Sequence, residues 1–323
     1  MMNILLTGAS GFVGSGVRRS LLQRGMPVRS VFRSETSALM SDIRGDTVEL
    51  QPSLGGSTDW RTAVAEIDAV VHCAARVHVM RDTAVDPLSE FRNINTLGTM
   101  NLARQAAAAG VKRFVFVSSI KVNGEGTAPG MPFTAQQVPN PIDPYGVSKW
   151  EAEQELHALA AETGMEVVII RPVLVYGPGV KANFLNMMKW LYEGVPLPLG
   201  AIHNKRSLVA LDNLVDLIVT CIDHPQAANQ TFLVSDGEDL STTELLQRMS
   251  RAFGKRPRLL PVPVWMLEAA ASLLGKKSVA QRLCGSLQVD ISCTCERLGW
   301  TPPVSVDAAL RKTAQHFLDQ QKQ

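Results

Sequence analysis

The sequence predicts an α/β fold, a Rossmann-type doubly wound parallel sheet with a smaller, α-rich C-terminal lobe. Three observations carry that expectation. Strand-like and helix-like stretches alternate through the first half of the chain, the order that produces right-handed βαβ units and a parallel sheet. A glycine-punctuated turn follows the first apolar run, and the second half changes to dense Pro and Gly punctuation followed by helices. At 323 residues the chain is also long for one sheet-and-helix domain, because domains run to ~150 residues.

Asn3 to Leu6 is a short apolar run and reads as the first strand. Helix is predicted from Gly14 to Arg24, where Val17, Leu21 and Leu22 recur at helical spacing. Pro27 to Phe32 and Thr47 to Leu50 are the next strands, and Ala69 to Ala74 reads as a buried one. A helix from Phe91 to Ala109 leads to the β-branched stretch Arg113 to Val117. Tyr145 to Glu162 is a long helix, and Glu166 to Ile170 a fully buried strand. Punctuation is then dense from Pro172 to Gly200, followed by helices at Asp212 to Ile222, Thr242 to Phe253 and Val264 to Leu274. That change sets the expected boundaries. Residues 1–175 form one domain, joined by 205–235, while 176–204 and 236–323 form the second lobe.

Hydrophobic residues make up 46% and charged residues 19%, which rules out disorder as the main state. Thirty-two Lys and Arg against 30 Asp and Glu leave +2. So even a balance advertises neither a nucleic-acid nor a membrane surface. Met1 to Leu6 has no basic n-region and too short an apolar run for a signal peptide. The apolar stretch Pro261 to Leu274 is interrupted by Pro263 and Glu268. It falls short of the ~20 residues a membrane span needs and reads as a buried or interfacial helix. Five scattered cysteines, with Cys293 and Cys295 lacking a second ligand pair, point to reduced thiols in the cytoplasm and to no metal site.

Thr7-Gly8-Ala9-Ser10-Gly11-Phe12-Val13-Gly14 lies between the first strand and the first helix. Gly8 can make the tight turn, Gly11 admits a pyrophosphate to the backbone, and Gly14 allows close helix–strand packing. Phe12 and Val13 lie within the same cofactor turn. The spacing carries one extra residue in the first interval of G-x-G-x-x-G. After the second strand comes Arg33-Ser34, with no acid until Glu35. Arg33 and Ser34 suit a 2′-phosphate, so NADP(H) is favoured, with NAD(H) the alternative. Tyr145 and Lys149 stand one helical turn apart on one face. An ammonium there favours the phenolate, and Ser119, at a strand end 26 residues upstream, can bond the same substrate oxygen.

With these motifs the chain resembles an extended short-chain dehydrogenase/reductase of the NAD-dependent epimerase/dehydratase family acting on nucleotide-sugars. The resemblance covers nearly the whole chain and implies Ser119, Tyr145 and Lys149 as the catalytic triad. It places Gly8, Gly11 and Gly14 at the cofactor pyrophosphate. His72-Cys73-Ala74-Ala75 resembles the segment beside the nicotinamide ribose, and Asn95-Thr96-Leu97-Gly98-Thr99 the helix motif whose Asn supports cofactor and site. The run from Arg171 and Pro172 to Pro178 resembles the turn that leaves the sheet near the nicotinamide. In the second lobe, Asn183 resembles the residue that meets the nucleotide diphosphate, and Arg206 with Asp212 its phosphate-clamping segment. Ser207 stands where the family has Asp. Arg282 is a weaker second phosphate arginine, and His78, Lys121 and Asn123 are further sugar-pocket candidates. The implied partners are a UDP-linked nucleotide-sugar and a second copy of the chain, through a four-helix bundle of Phe91 to Ala109 and Tyr145 to Glu162.

Arg33-Ser34 suits an exchanging NADPH, and Ser119-Ile120-Lys121-Val122-Asn123-Gly124 resembles a bacterial polysaccharide-pathway group. Together they imply NAD(P)H-dependent reduction at C4 of a UDP-4-keto-6-deoxy-N-acetylhexosamine in polysaccharide synthesis. The alternative is a UDP-glucose or UDP-N-acetylglucosamine 4-epimerase with tightly bound NAD, and the remote one a non-catalytic dinucleotide-binding protein. Dehydration is disfavoured, because Ile120-Lys121 follows Ser119 where the resembling dehydratases carry Asp-Glu.

Overall fold

A computed structural model describes residues 2–35, 46–51, 53–77, 86–275 and 277–322. In chain order, β1 (Ile4–Thr7), α1 (Phe12–Gln23), β2 (Val28–Phe32), β3 (Thr47–Leu50), α2 (Arg61–Val64) and β4 (Ala69–His72) come first. Next are α3 (Pro87–Phe91), a π-helical stretch (Arg92–Gly98), α4 (Thr99–Ala108) and β5 (Arg113–Val117). α5 (Pro144–Thr163), β6 (Glu166–Pro172), β7 (Leu174–Tyr176) and α6 (Ala182–Glu193) follow. β8 (Arg206–Ala210), α7 (Leu211–Asp223), β9 (Gln230–Val234) and β10 (Asp239–Leu240) lead to the C-terminal helices. Those are α8 (Thr242–Ala252), α9 (Val264–Leu273), α10 (Lys277–Cys284), α11 (Ser292–Leu298) and α12 (Val306–Gln321).

Seven parallel strands make the main sheet in the order β3-β2-β1-β4-β5-β6-β9. The order reverses between β1 and β4, where Leu6 pairs with Val71 and Thr7 with His72. Such a switch point leaves a crevice beyond the strand C-termini, the usual ligand position in this architecture. Alternate residues feed two cores. Ile4, Leu6 and Val115 join one, under α1 and α7, while Leu5, Phe114 and Phe116 join the other, under α4 and α5. Burial on both faces explains the continuous apolar strands.

The second lobe is built on a small sheet, β10-β8-β7, and a third core filled from α6, α8 and α12. After β8, α7 and β9 return to the main sheet. The expected continuous helix from Phe91 to Ala109 is instead interrupted by the π-helical stretch. A π-turn widens the helix and often marks a functional position; here it carries Asn95 and Thr96 inward, both buried. Among the described residues no helix is long and apolar enough to cross a membrane.

Candidate active site

The turn after β1 forms an anion cradle. Gly8 takes φ +72°, and a Cβ there would lie 2.8 Å from Ala74 N. Gly11 N donates to Gly8 O at 2.8 Å. A Cβ on Gly14 would come within 2.1 Å of Gly8 O, so helix and turn approach this closely only without a side chain. α1 begins at Gly11 with no side-chain cap and no acid in its first turn, which leaves backbone N–H groups and the positive helix end for an anion. The residues present fit the pyrophosphate of a dinucleotide. Beside the cradle His72 is fully enclosed, its Nδ1 2.7 Å from Thr7 Oγ1 and its Nε2 3.0 Å from Thr99 Oγ1. Burial holds its pKa down at about 3, with Lys149 adding to the effect, so the ring is neutral.

Asn95 stitches the segment after β4 to α5. Its Oδ1 accepts from Arg76 N at 2.8 Å, while Nδ2 donates to Arg76 O at 3.0 Å and to Ser148 Oγ at 3.1 Å. Thr96 Oγ1 donates to Ser148 O at 2.9 Å. Ala74 is buried and Ala75 half-buried just beyond β4, and Pro172 ends β6 opposite Val234.

α5 starts where Asp143 accepts from Gly146 N at 2.6 Å, with Pro144 in the first turn; a carboxylate cap and an N-terminal proline both favour a helix start. That start fixes one face of α5: Tyr145, Lys149 and Glu153 recur four residues apart and line up along it. Ser119 follows β5 and caps the short turn Ile120–Val122, its Oγ accepting from Lys121 N at 3.3 Å. Tyr145 is half-buried, its ring 6.0 Å from that of Phe91. Burial pushes its phenol up to about 12 and the Asp143 charge pushes the same way, against a hydrogen bond with Ser119. Lys149 is fully buried; its Nζ donates to Val117 O at 2.9 Å and lies 4.3 Å from the Phe116 ring centroid. Desolvation lowers its pKa to about 8. Burial of the phenol, with the Asp143 charge second, therefore outweighs the expected lowering by Lys149, whose ammonium is turned toward Val117 O.

Beneath these residues lies a polar cluster that sequence reading did not find. Arg171 forks onto Glu153 at 2.6–3.2 Å, both side chains buried. Ser118 Oγ donates to the same carboxylate, and Arg171 Nη1 donates to Asn123 Oδ1 at 3.0 Å. Glu153 carried a usable signal, since it repeats the four-residue spacing of Tyr145 and Lys149.

The substrate candidates divide. Arg206 Nη1 donates to Gly285 O at 3.0 Å, and burial lowers its pKa. Lys121 pairs with Glu125 at 3.0 Å and with Asp143. Asn123 is buried with both amide ends engaged, Nδ2 donating to Thr134 O at 3.0 Å and Oδ1 accepting from Arg171; it supports the cleft from below instead of lining it. Asn183 is exposed on the first turn of α6 and Arg282 exposed on α10. Arg33 and Ser34 are exposed past the end of β2. His78 lies outside the described residues.

A switch-point crevice with a glycine cradle and a Ser–Tyr–Lys group defines a dinucleotide-dependent short-chain enzyme. The profile of the NAD dependent epimerase/dehydratase family matches residues 4–235, and the chain belongs to that family. It is 51% identical, across 98% of its length and 95% of the relative's, to a UDP-glucose 4-epimerase of Vibrio cholerae. In fold it is similar to the UDP-glucose 4-epimerase of Thermotoga maritima solved with UDP-glucose (TM-score 0.79, 23% identity, 99% and 100% of the two chains). The same holds for the UDP-glucuronic acid 4-epimerase of Bacillus cereus solved with NAD (TM-score 0.79, 20% identity, 99% of each chain). These findings overturn the expected 4-keto reduction: a 51% identical relative is an epimerase. The preference for NADP also gains no support, and Arg33, exposed at a strand end, was too slight a basis for it.

Proposed function

We propose that the chain is a UDP-hexose 4-epimerase that retains NAD. The observation carrying this reading is Ser119, Tyr145 and Lys149 gathered beside the anion cradle in a chain 51% identical to a UDP-glucose 4-epimerase. The chemistry supplied by a bound NAD is reversible hydride transfer at the sugar C4. Gly8, Gly11, Phe12, Val13 and Gly14 hold its pyrophosphate, and Ala74, Ala75, Asn95 and Pro172 border the nicotinamide end. Tyr145 takes the proton from the C4 hydroxyl and returns it, and Ser119 Oγ hydrogen-bonds the same oxygen. From about 12 the phenol must come down to act at neutral pH. The hydrogen bond with Ser119 already acts in that direction, and the ammonium of Lys149, one turn away, adds to it when it faces the phenol. Asn183, in the second lobe proposed as residues 176–204 and 236–323, and Arg206, at the start of β8 in the small sheet, meet the diphosphate.

Free cysteines at all five positions favour the cytoplasm, and the α3–α4 and α5 face is proposed to pair two copies. The purified protein, denatured, should release stoichiometric NAD. It should also interconvert UDP-glucose and UDP-galactose with no added cofactor. Stoichiometric consumption of added NADPH with no interconversion would sink the reading.

A further inference from the structure

α9 is apolar on both sides, and only one side is covered. Val264, Leu267 and Ala271 recur at helical spacing, with Val264 and Leu267 packed on the third core. The opposite face carries Trp265, Met266, Ala269, Ala270 and Leu273, and no residue of the helix is buried. Trp265 is 69%, Leu273 88% and the following Leu274 71% exposed. Leu260 before the helix and Val279 on α10 extend the patch. Single exposed apolar residues need no explanation, but a contiguous patch marks an interaction surface.

The surrounding charge says what covers it. Between positions 255 and 282 the sequence has Lys255, Arg256, Arg258, Lys276, Lys277 and Arg282 against one acid, Glu268. That is a net +5 in a chain of net +2, so the rest of the molecule is net negative. Among the described residues, Lys255, Arg256, Arg258, Lys277 and Arg282 are all exposed. A symmetric pairing of two copies through this face would bring two such basic segments together. An apolar face with a tryptophan, flanked at both ends by Lys and Arg, is instead the pattern of a helix lying in a bilayer interface. Anionic headgroups attract the flanks while the apolar face enters the acyl boundary.

We propose that the α9–α10 hairpin docks the protein on the surface of an anionic phospholipid membrane, without spanning it. α10 runs directly into the segment whose Gly285 O accepts from Arg206 and whose Leu287 O accepts from Ser207 N. Docking therefore holds the substrate lobe at the surface. The proposal does not depend on which sugar is turned over.

The test is co-sedimentation of the full-length protein with vesicles of phosphatidylglycerol and phosphatidylethanolamine, against vesicles of phosphatidylcholine alone. Binding at least tenfold tighter to the anionic vesicles, weakened at least fivefold by raising salt from 0.1 to 0.5 M, is expected. Trp265→Ser with Leu273→Ser should weaken that binding at least tenfold. Both sites are exposed, so melting temperature and turnover in vesicle-free buffer should be unchanged. Lys277→Glu should also weaken it. Failure to sediment with anionic vesicles overturns the proposal, as does unchanged binding by the double variant. If the wild type ignores vesicles and the double variant instead loses self-association by sedimentation equilibrium, the face belongs to a second copy and the proposal falls.

Discussion

Replacing Glu153 with Gln keeps the shape of the cluster beneath the site and removes its anion. Arg171 is then left charged, with 4% of its side chain exposed and its main partner neutral. Breaking a buried ion pair from one side costs about 3–5 kcal/mol, mostly the penalty of the stranded charge. Unfolding entropy near 2.1 cal/mol/K per residue gives about 0.7 kcal/mol/K for a chain of 323 residues. The melting temperature should therefore fall by roughly 4–7 °C. Glu153→Met with Arg171→Met removes both charges and should recover much of that loss, though Ser118 and Asn123 also lose partners. Because Ser118 and Asn123 flank Ser119 and its turn, Glu153→Gln should also lower kcat more than it alters KM at 25 °C. Differential scanning calorimetry on both variants reads the first effect and steady-state epimerisation the second. A Glu153→Gln melting temperature within about 1 °C of the parent would refute the reasoning.

Tyr145→Phe should abolish interconversion while leaving the NAD content of the purified protein unchanged; residual activity above a hundredth would remove Tyr145 from its assigned role. Asp143→Asn preserves the helix cap but deletes a charge that raises the phenol. The acid limb of its kcat/KM profile should therefore move to lower pH, and an upward shift would contradict the electrostatics. Gly14→Ala drives a Cβ into Gly8 O and should reduce retained NAD at least tenfold, as measured by absorbance after denaturation. His72 binds its proton near 3 in the fold and near 6.5 when unfolded. Its contribution to stability is therefore full above 6.5 and is lost as pH falls toward 3. Between pH 6.5 and 5 that is about 2 kcal/mol, and denaturant titrations of His72→Asn should show a correspondingly flatter acid dependence.

Local patterns carried the fold. Continuous apolar runs, such as Glu166 to Ile170, identify strands buried on both faces, and the order of elements gives the parallel sheet. The cradle and the Tyr145–Lys149 pair were legible for the same reason, since their chemistry depends on short spacings. Contacts between distant segments were not. Asn123 read as a pocket residue because nothing in its neighbourhood announces Arg171, 48 positions away. Lys121 read as free to meet substrate, although Asp143 and Glu125 hold it. The choice of reaction went wrong where one exposed residue, Arg33, was asked to decide the cofactor and the cofactor to decide the chemistry.

The overall charge is a weak guide to any one face. A near-zero total argues against a charged surface only if the charges are evenly spread, and here they are not. Arg113, Arg171 and Arg248 are among the arginines with carboxylates within 2.5–2.6 Å, so part of the positive charge is neutralised locally inside the fold and across its surface. The basic residues around α9 face a single acid in their own segment and border apolar side chains that the core leaves uncovered. A membrane surface would respond to that local field and not to the total, because charges farther away than about 8–10 Å are screened at physiological salt. Sequence-wide balance and a membrane-directed face are therefore compatible. The quantity that separates them is the salt dependence of vesicle binding.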